Sequence, residues 1–171
     1  ARDIVEVAVT EALTRLGISD GSAPNYLSEA ERKLRTRLRA HGRQLGDVLN
    51  RDTGKQETEL LINEMAYEHW HHMLFARFLE QSELLMYDQN THVTLDECKE
   101  LAEENDPLGD GSEVKDGWDL AGRLAQKMLP QIFRADSPVF DVKLSINHVH
   151  ALEELIANLN PDTFQASDAL G

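Results

Sequence analysis

The sequence predicts an all-α fold: an irregular multi-helix bundle around one long central helix at about residues 55–85. Three observations predict it. At least five segments repeat apolar residues at helical spacing, and no two stretches make a convincing hairpin. The run Met65–Leu79 also gathers four of the ten aromatics: Tyr67, Trp70, Phe75 and Phe78. On a helix, Tyr67, Trp70, Leu74 and Phe78 share one face, with Ala66 and Met73 beside it and Leu61, Phe75 and Leu79 opposite. A helix apolar all round is expected to be buried. Arg77 lies inside the aromatic face and needs carbonyls or a carboxylate to be buried there. The expected partner is an acid on a neighbouring helix, with the rings as a stacking surface. The other reading places Arg77 at a surface, on phosphate or a partner's carboxylate.

The remaining elements follow in order. Ile4, Val5, Ala8, Ala12 and Leu16 recur at helical spacing, with Gly17 as C-cap. Ile18–Asn25 reads as a loop. Ser28-x-x-Glu31 is a capping box opening a second helix, with an apolar stripe of Leu27, Ala30, Leu34, Leu38, His41, Leu45 and Val48. Arg32, Arg39 and Arg43 then point away from that stripe, with Lys33 and Arg35 on its shoulders. Thr53-x-x-Gln56 offers a cap for the central helix, which at full length is ~45 Å long. Thr94-x-x-Glu97 is another capping box. The acidic segment 103–115 reads as a mobile loop. Trp118, Ala121, Ala125, Met128 and Ile132 mark a helix bent or ended near Pro130. Pro138–Leu144 reads as an extended connector. Asn147 caps a helix bearing Leu152, Leu155, Ile156 and Leu159, and Asp162 starts a short last helix through Phe164.

The chain has 171 residues, enough for one helical domain with its own core. The single cysteine, Cys98, excludes an internal disulfide and fits a reducing cytoplasm. No signal peptide or membrane-spanning run is read from the sequence. Net charge is −14, from 31 acids against 17 bases, which argues against a dedicated nucleic-acid-binding module. Six bases nevertheless fall within twelve positions, Arg32 to Arg43.

The residues richest in chemistry are Glu68, His69, His71 and His72. Glu68 and His72, or His69 and His72, have a spacing that could share a metal, but the zinc-protease order His-Glu-x-x-His is absent. Histidines on a helix surface or hydrogen-bonded between helices are the simpler reading, and no metal requirement is expected. Cys98 sits on an apolar stripe and reads as an inert buried thiol. A phosphate-binding glycine loop, Gly-x-Ser-x-Gly and Cys-x-x-Cys are all absent.

Ala66-Tyr67, Trp70, Met73-Leu74 and Arg77-Phe78-Leu79-Glu80 resemble the helical signature upstream of the catalytic domain in large adenine-specific DNA methyltransferases of type II restriction-modification and related phage-exclusion systems. Trp118–Phe133 is similar to a second stretch of that region. Leu152-Glu-Glu-Leu-Ile156, followed by Phe164 and Asp168-Ala-Leu-Gly171, is similar to a third. One departure is His71-His72, where many relatives carry Asn-Arg. The likeness covers roughly residues 55–171, and in the family the last element runs on into an aromatic-rich segment, so the chain is expected to stop at a domain edge. The family's catalytic Asn-Pro-Pro-Tyr/Phe tetrapeptide and glycine-rich donor loop are absent from this chain. The resemblance therefore implies a non-catalytic N-terminal accessory domain, with no catalytic, cofactor or metal residues of its own. It implies a downstream catalytic domain, with S-adenosylmethionine as methyl donor, double-stranded DNA as substrate and a restriction nuclease in some members. Arg32, Arg35, Arg39, Arg43 and Lys33 are the candidate phosphate contacts. Tyr67, Trp70, Arg77, Phe78 and Trp118 are the candidate packing residues. Two alternatives stay open: an acidic protein–protein adaptor unrelated to methylation, and a small metal-dependent enzyme built on the histidines.

Overall fold

The computed structural model describes residues 2–130 and 137–160. Within them lie six α-helices, one 3₁₀ turn and no strand, so the fold is all-α. The chain divides into two compact units. One comprises Ala1–Trp70 with Asp136–Leu155, the other His71–Ala135 with Ile156–Gly171.

In the first unit, α1 (Arg2–Arg15) buries Val5, Ala8, Val9, Ala12 and Leu13. It closes as expected at Gly17, where the Ile18 amide donates to the Leu13 carbonyl at 3.0 Å. Helix α2 (Glu29–Leu45) opens on the Ser28/Glu31 capping box. The Ser28 backbone amide, then Arg15 and the Ser28 hydroxyl, hold the Glu31 carboxyl down at about 2. Gly46, at φ +119°, ends α2.

The buried face of α2 is Arg35, Leu38, Arg39 and Gly42, rotated by roughly a quarter turn from the expected stripe. Val48 is exposed and Arg39 is buried, a reversal of the sequence reading. The cause is a supply of backbone carbonyls in the flanking loops, which arginine donors satisfy better than leucine can.

The central helix, α3, runs Glu59–Gln81, 23 residues and ~34 Å, shorter than the expected 55–85. Its start is delayed because Leu49 and Gln56 pair as an antiparallel bridge around the Asn50–Gly54 turn. Its end is set at Ser82–Glu83, where Glu83 takes φ +54°. Thr53 and Gln56 do not cap it. Instead the buried carboxylate of Asp47 accepts from the amides of Leu60 (Oδ1, 2.9 Å) and Leu61 (Oδ2, 3.2 Å). Leu61, Met65, Ala66, Ala76 and Leu79 are the buried residues of α3, whereas Tyr67 is 56% exposed and Trp70 and Phe78 are half-buried. The aromatic face is thus not the most buried one.

Pro138–Leu144 is not an extended connector. A 3₁₀ turn forms at Pro138–Asp141, capped by the Ser137 hydroxyl and seated through Val139, and Arg37 on α2 reaches Asp141 at 2.8 Å. Helix α6 (Ile146–Ala157) begins one residue before the expected Asn147 cap and buries Leu152 and Ile156. The short helix expected from Asp162 lies outside the described residues.

In the second unit, the later turns of α3 pack with α4 (Leu95–Leu101) and α5 (Gly117–Met128). Their shared core contains Ala76, Leu79, Cys98, Leu120, Leu124 and Ala125. Thr94/Glu97 caps α4 as expected, and Asp116 caps α5. Helix α5 stops two residues short of Pro130. The acidic loop between them is turned by Asp106, whose carboxylate accepts from Gly111, and held by Tyr87, whose hydroxyl donates to the Pro107 carbonyl at 2.7 Å.

Replacing Asp47 by alanine removes two hydrogen bonds from the α3 start and leaves the buried Leu61 amide and the part-buried Leu60 amide without their acceptor. The expected cost is about 1–3 kcal/mol, read as a lower urea midpoint. Asp52→Ala, on the exposed turn, should leave the midpoint within about 0.5 kcal/mol of wild type. Equal midpoints for both variants would remove Asp47 from this role.

Candidate functional site

The basic stretch of α2 separates into two groups. Arg35 and Arg39 face inward. Arg35 donates to the carbonyls of Gly17 (3.0 Å) and Asp20 (2.6 Å). Arg39 donates to Ile18, to Asp20 (2.6 Å) and, through its other terminal nitrogen, to Gly54 (2.7 Å). Burial pushes both guanidiniums below the ordinary arginine value, and for Arg39 the neighbouring Arg35 and Arg43 add to it. Asp20 opposes the shift at both. These two side chains bind the 17–25 loop and the 50–54 turn to α2.

Arg32, Lys33, Arg37 and Arg43 are exposed. Arg32 donates to the Leu27 and Asn25 carbonyls, both at 3.1 Å, and Arg43 to the Gln56 side chain at 3.0 Å. Lys33 pairs with Glu29 at 2.8 Å, both well exposed, and Arg37 with Asp141. Exposed pairs of this kind contribute about 0–1 kcal/mol, so an incoming anion can exchange with their carboxylates. The sequence grouped Arg39 with Arg32 and Arg43, but the fold does not. A phosphate could be met by the outward four, not by Arg35 or Arg39 without opening the loops they hold.

In the second unit the motif residues meet one another. Arg77 pairs with Glu80, three residues on in the same helix and not on a neighbour. The other oxygen of Glu80 accepts from the Leu95 amide at 2.9 Å, so this carboxylate also starts α4. Phe75, Phe78 and Trp118 border the core that joins α3 to α5. Cys98 lies inside it, its thiol pushed up to about 12 by burial and then by Glu80 and Glu97. A thiol in that state is no nucleophile near neutrality.

The histidines disperse. His69 meets Phe140 edge-on, His71 stacks on Phe75, and His72 lies against Gly122 of α5. Among the described residues, no three His, Cys, Asp or Glu side chains are grouped to hold a metal ion. Ser145, His148 and Glu11 do converge, but both partners address Nδ1 of His148, at 2.6 and 3.7 Å. A proton relay needs the acid and the nucleophile on opposite ring nitrogens, so this cluster only supports the start of α6. An acidic cleft over the first turn of α3 is lined by Glu6, Glu57, Glu59 and Asn63, with Arg2 already on Glu6 and Asn63.

No family model, curated protein or solved structure matches this chain. What it does must therefore be argued from its own residues. Among the described residues, no helix is long and apolar enough to cross a membrane. Sequence reasoning missed Asp47 and Glu80 as organising residues and read Gln56 as a cap for α3, whereas it joins Arg39 and Arg43. A polar residue just after a helix-ending glycine was the available signal for Asp47. Glu80, inside the Arg77–Glu80 motif, had none beyond its neighbour.

Gly122 is the tightest point of the motif core. A Cβ there would lie 2.1 Å from His72 ring atoms. Gly122→Ala should destabilise the protein by about 1–3 kcal/mol through overpacking. The same change should cost less in a His72→Ala background, because the two sites touch. Additive losses in the double-mutant cycle would show that the helices do not meet there.

Proposed function

We propose that this chain is a non-catalytic helical accessory domain of an adenine-specific DNA methyltransferase from a restriction-modification or related phage-exclusion system. It packs on a downstream catalytic domain that carries S-adenosylmethionine, and it adds outward bases of α2 to the hold on duplex DNA. The observation that carries this reading is the resemblance of three stretches in order. The packing of two of them supports it: the part of the first stretch beyond Trp70 and the Trp118–Met128 part of the second share one core through Leu79, Leu120 and Leu124. Residues 71–80 and 118–128 thus behave as one physical unit rather than as unrelated short matches. Beyond the described residues lie the final part of the second stretch and the end of the third.

A second reading is an acidic adaptor that binds basic partners. It is favoured by the run Thr94–Asp119, in which ten residues are acidic and two basic.

The intact polypeptide separates them. The first reading expects a glycine-rich donor loop and Asn-Pro-Pro-Tyr/Phe in the coding frame after Gly171, with labelled methyl transfer to adenine. The chain 1–171 alone should show no micromolar donor binding by calorimetry. In the active protein, Arg32, Lys33, Arg37 and Arg43 all changed to Gln should weaken cognate and random duplexes about equally. The slope of affinity against log salt should flatten by roughly one unit per lost contact, up to about four. An unchanged slope would withdraw α2 from DNA, and an intact protein without methyl transfer would favour the adaptor.

A further inference from the structure

We propose that Asp110-Gly111 is a site of spontaneous covalent modification, where the folded loop favours rearrangement of Asp110 to isoaspartate. The chain has three Asp-Gly pairs: Asp20-Gly21, Asp110-Gly111 and Asp116-Gly117. The rearrangement begins when the glycine nitrogen reaches the side-chain carbon of the aspartate, which requires the backbone between them to rotate. Two of the pairs are fixed against that rotation. The Asp20 carbonyl is held at 2.6 Å by both Arg35 and Arg39, and Gly21 packs against the Thr53 carbonyl and Gly54. Gly117 is buried as the first residue of α5, close against the Lys99 backbone, and the Asp116 carboxylate is engaged by the Asp119 amide at 2.8 Å. Asp110 and Gly111 are both exposed, and a side chain at Gly111 would meet nothing within 4 Å. Only this pair has room to turn.

The loop also places the reacting groups. The Gly111 amide, the nucleophile, donates to Asp106 Oδ1 at 3.0 Å, so a carboxylate stands ready to take its proton. The Ser112 amide donates to Asp110 Oδ1 at 3.0 Å and polarises the carbonyl under attack. The Gly111 nitrogen bonds to Asp110 Cγ, and the other side-chain oxygen leaves as water, with the amide proton and the carboxyl's own. A succinimide ring results. Water then opens it at the main-chain carbonyl carbon of Asp110, whose bond to the Gly111 nitrogen breaks, and the chain continues through Cγ. Water is the only co-reactant. The departing oxygen must carry a proton, and Ser112, through its hydroxyl and then its amide, holds the Asp110 carboxyl below the ordinary aspartate value. The step is therefore slow near neutrality and quickens in mild acid. The succinimide nitrogen has no proton for Asp106, and isoaspartate lengthens the loop backbone by one carbon. The turn that Asp106 makes at Gly111 is lost, and with it the arrangement of charge on the acidic loop. The inference is independent of the methyltransferase reading.

Prolonged incubation of the full chain, followed by peptide mapping with electron-transfer fragmentation, tests it. Isoaspartate should accumulate at position 110, through a species lighter by one water, several times faster than at 20 or 116. Accumulation should be faster in mild acid than above neutrality. In denaturant the three pairs should react at similar rates, because the difference between them belongs to the fold. Asp106→Asn keeps an oxygen to accept from the Gly111 amide but removes the base, and should slow accumulation at 110 severalfold. Asp52→Asn, on the other unit, should not. Comparable accumulation at 20 or 116 in the folded chain, none at 110, or an unslowed Asp106→Asn variant would each overturn the proposal. So would a preference for 110 that persists unchanged in denaturant, since local sequence alone would then account for it.

Discussion

The start of α3 depends on one buried carboxylate from outside the helix. A helix begins with several amides that have no partner within it, and of these the Leu61 amide is buried and the Leu60 amide part-buried. Asp47 supplies both acceptors. It can do so because Gly46 turns the chain back at the end of α2, with the Asp47 amide on the Gly42 carbonyl at 2.9 Å. It also depends on Gly42 having no side chain, since a Cβ there would sit 2.7 Å from Asp47 Oδ2. Gln56 closes the arrangement. Its side-chain amide donates to the Arg39 carbonyl, its oxygen accepts from Arg43, and its backbone amide donates to Ser19. The end of α2, the 50–56 turn and the start of α3 thus form one cooperative structure, to which Arg39 adds the 17–25 loop. None of these parts is stable as drawn without the others, because each leaves a buried polar group for another to satisfy.

That dependence explains what could be read from the sequence. The Ser28/Glu31 and Thr94/Glu97 boxes were legible because both partners lie within four residues, and so was the Gly17 stop. The orientation of α2 was not. Periodicity assigns arginine outward by default, and only knowledge of the loop carbonyls at Gly17, Ile18, Asp20 and Gly54 that face α2 would have turned Arg35 and Arg39 inward. The start of α3 was misread for the same reason: the local Thr53/Gln56 pattern fits a cap, while the residue that does the work lies thirteen positions before Leu60. The 3₁₀ turn at Pro138–Asp141 was hidden by an alternation of Phe140, Val142 and Leu144 that mimics a strand.

The candidate site was legible in outline only. Arg77 has a structural partner, as its apolar surroundings required, but on its own helix. Trp118 and Phe78 border the core of the second unit, whereas Tyr67 is more than half exposed. The histidines look like a cluster in the sequence because three fall within four positions. On the helix His69, His71 and His72 end on Phe140, Phe75 and Gly122 respectively, with His71 turned about 100° from His72. Among the described residues no three such side chains are grouped around a metal position.

Glu80 repeats at α4 what Asp47 does at α3: a carboxylate from another segment receives the first amides of a helix. In a chain of net charge −14, charges placed this way are committed to internal amides and carbonyls, and recognition is left to the exterior. There the acids dominate, and a polyanion approaching from a distance is repelled rather than steered. Screening confines that repulsion to about 8 Å at physiological salt. A duplex held by another domain could therefore be brought against exposed bases at short range, where Lys33 and Arg37 would trade weak ion pairs for phosphate. A contact of that kind adds affinity only after docking and carries no sequence preference. On the proposed reading, such contacts would support a complex that the downstream domain has formed.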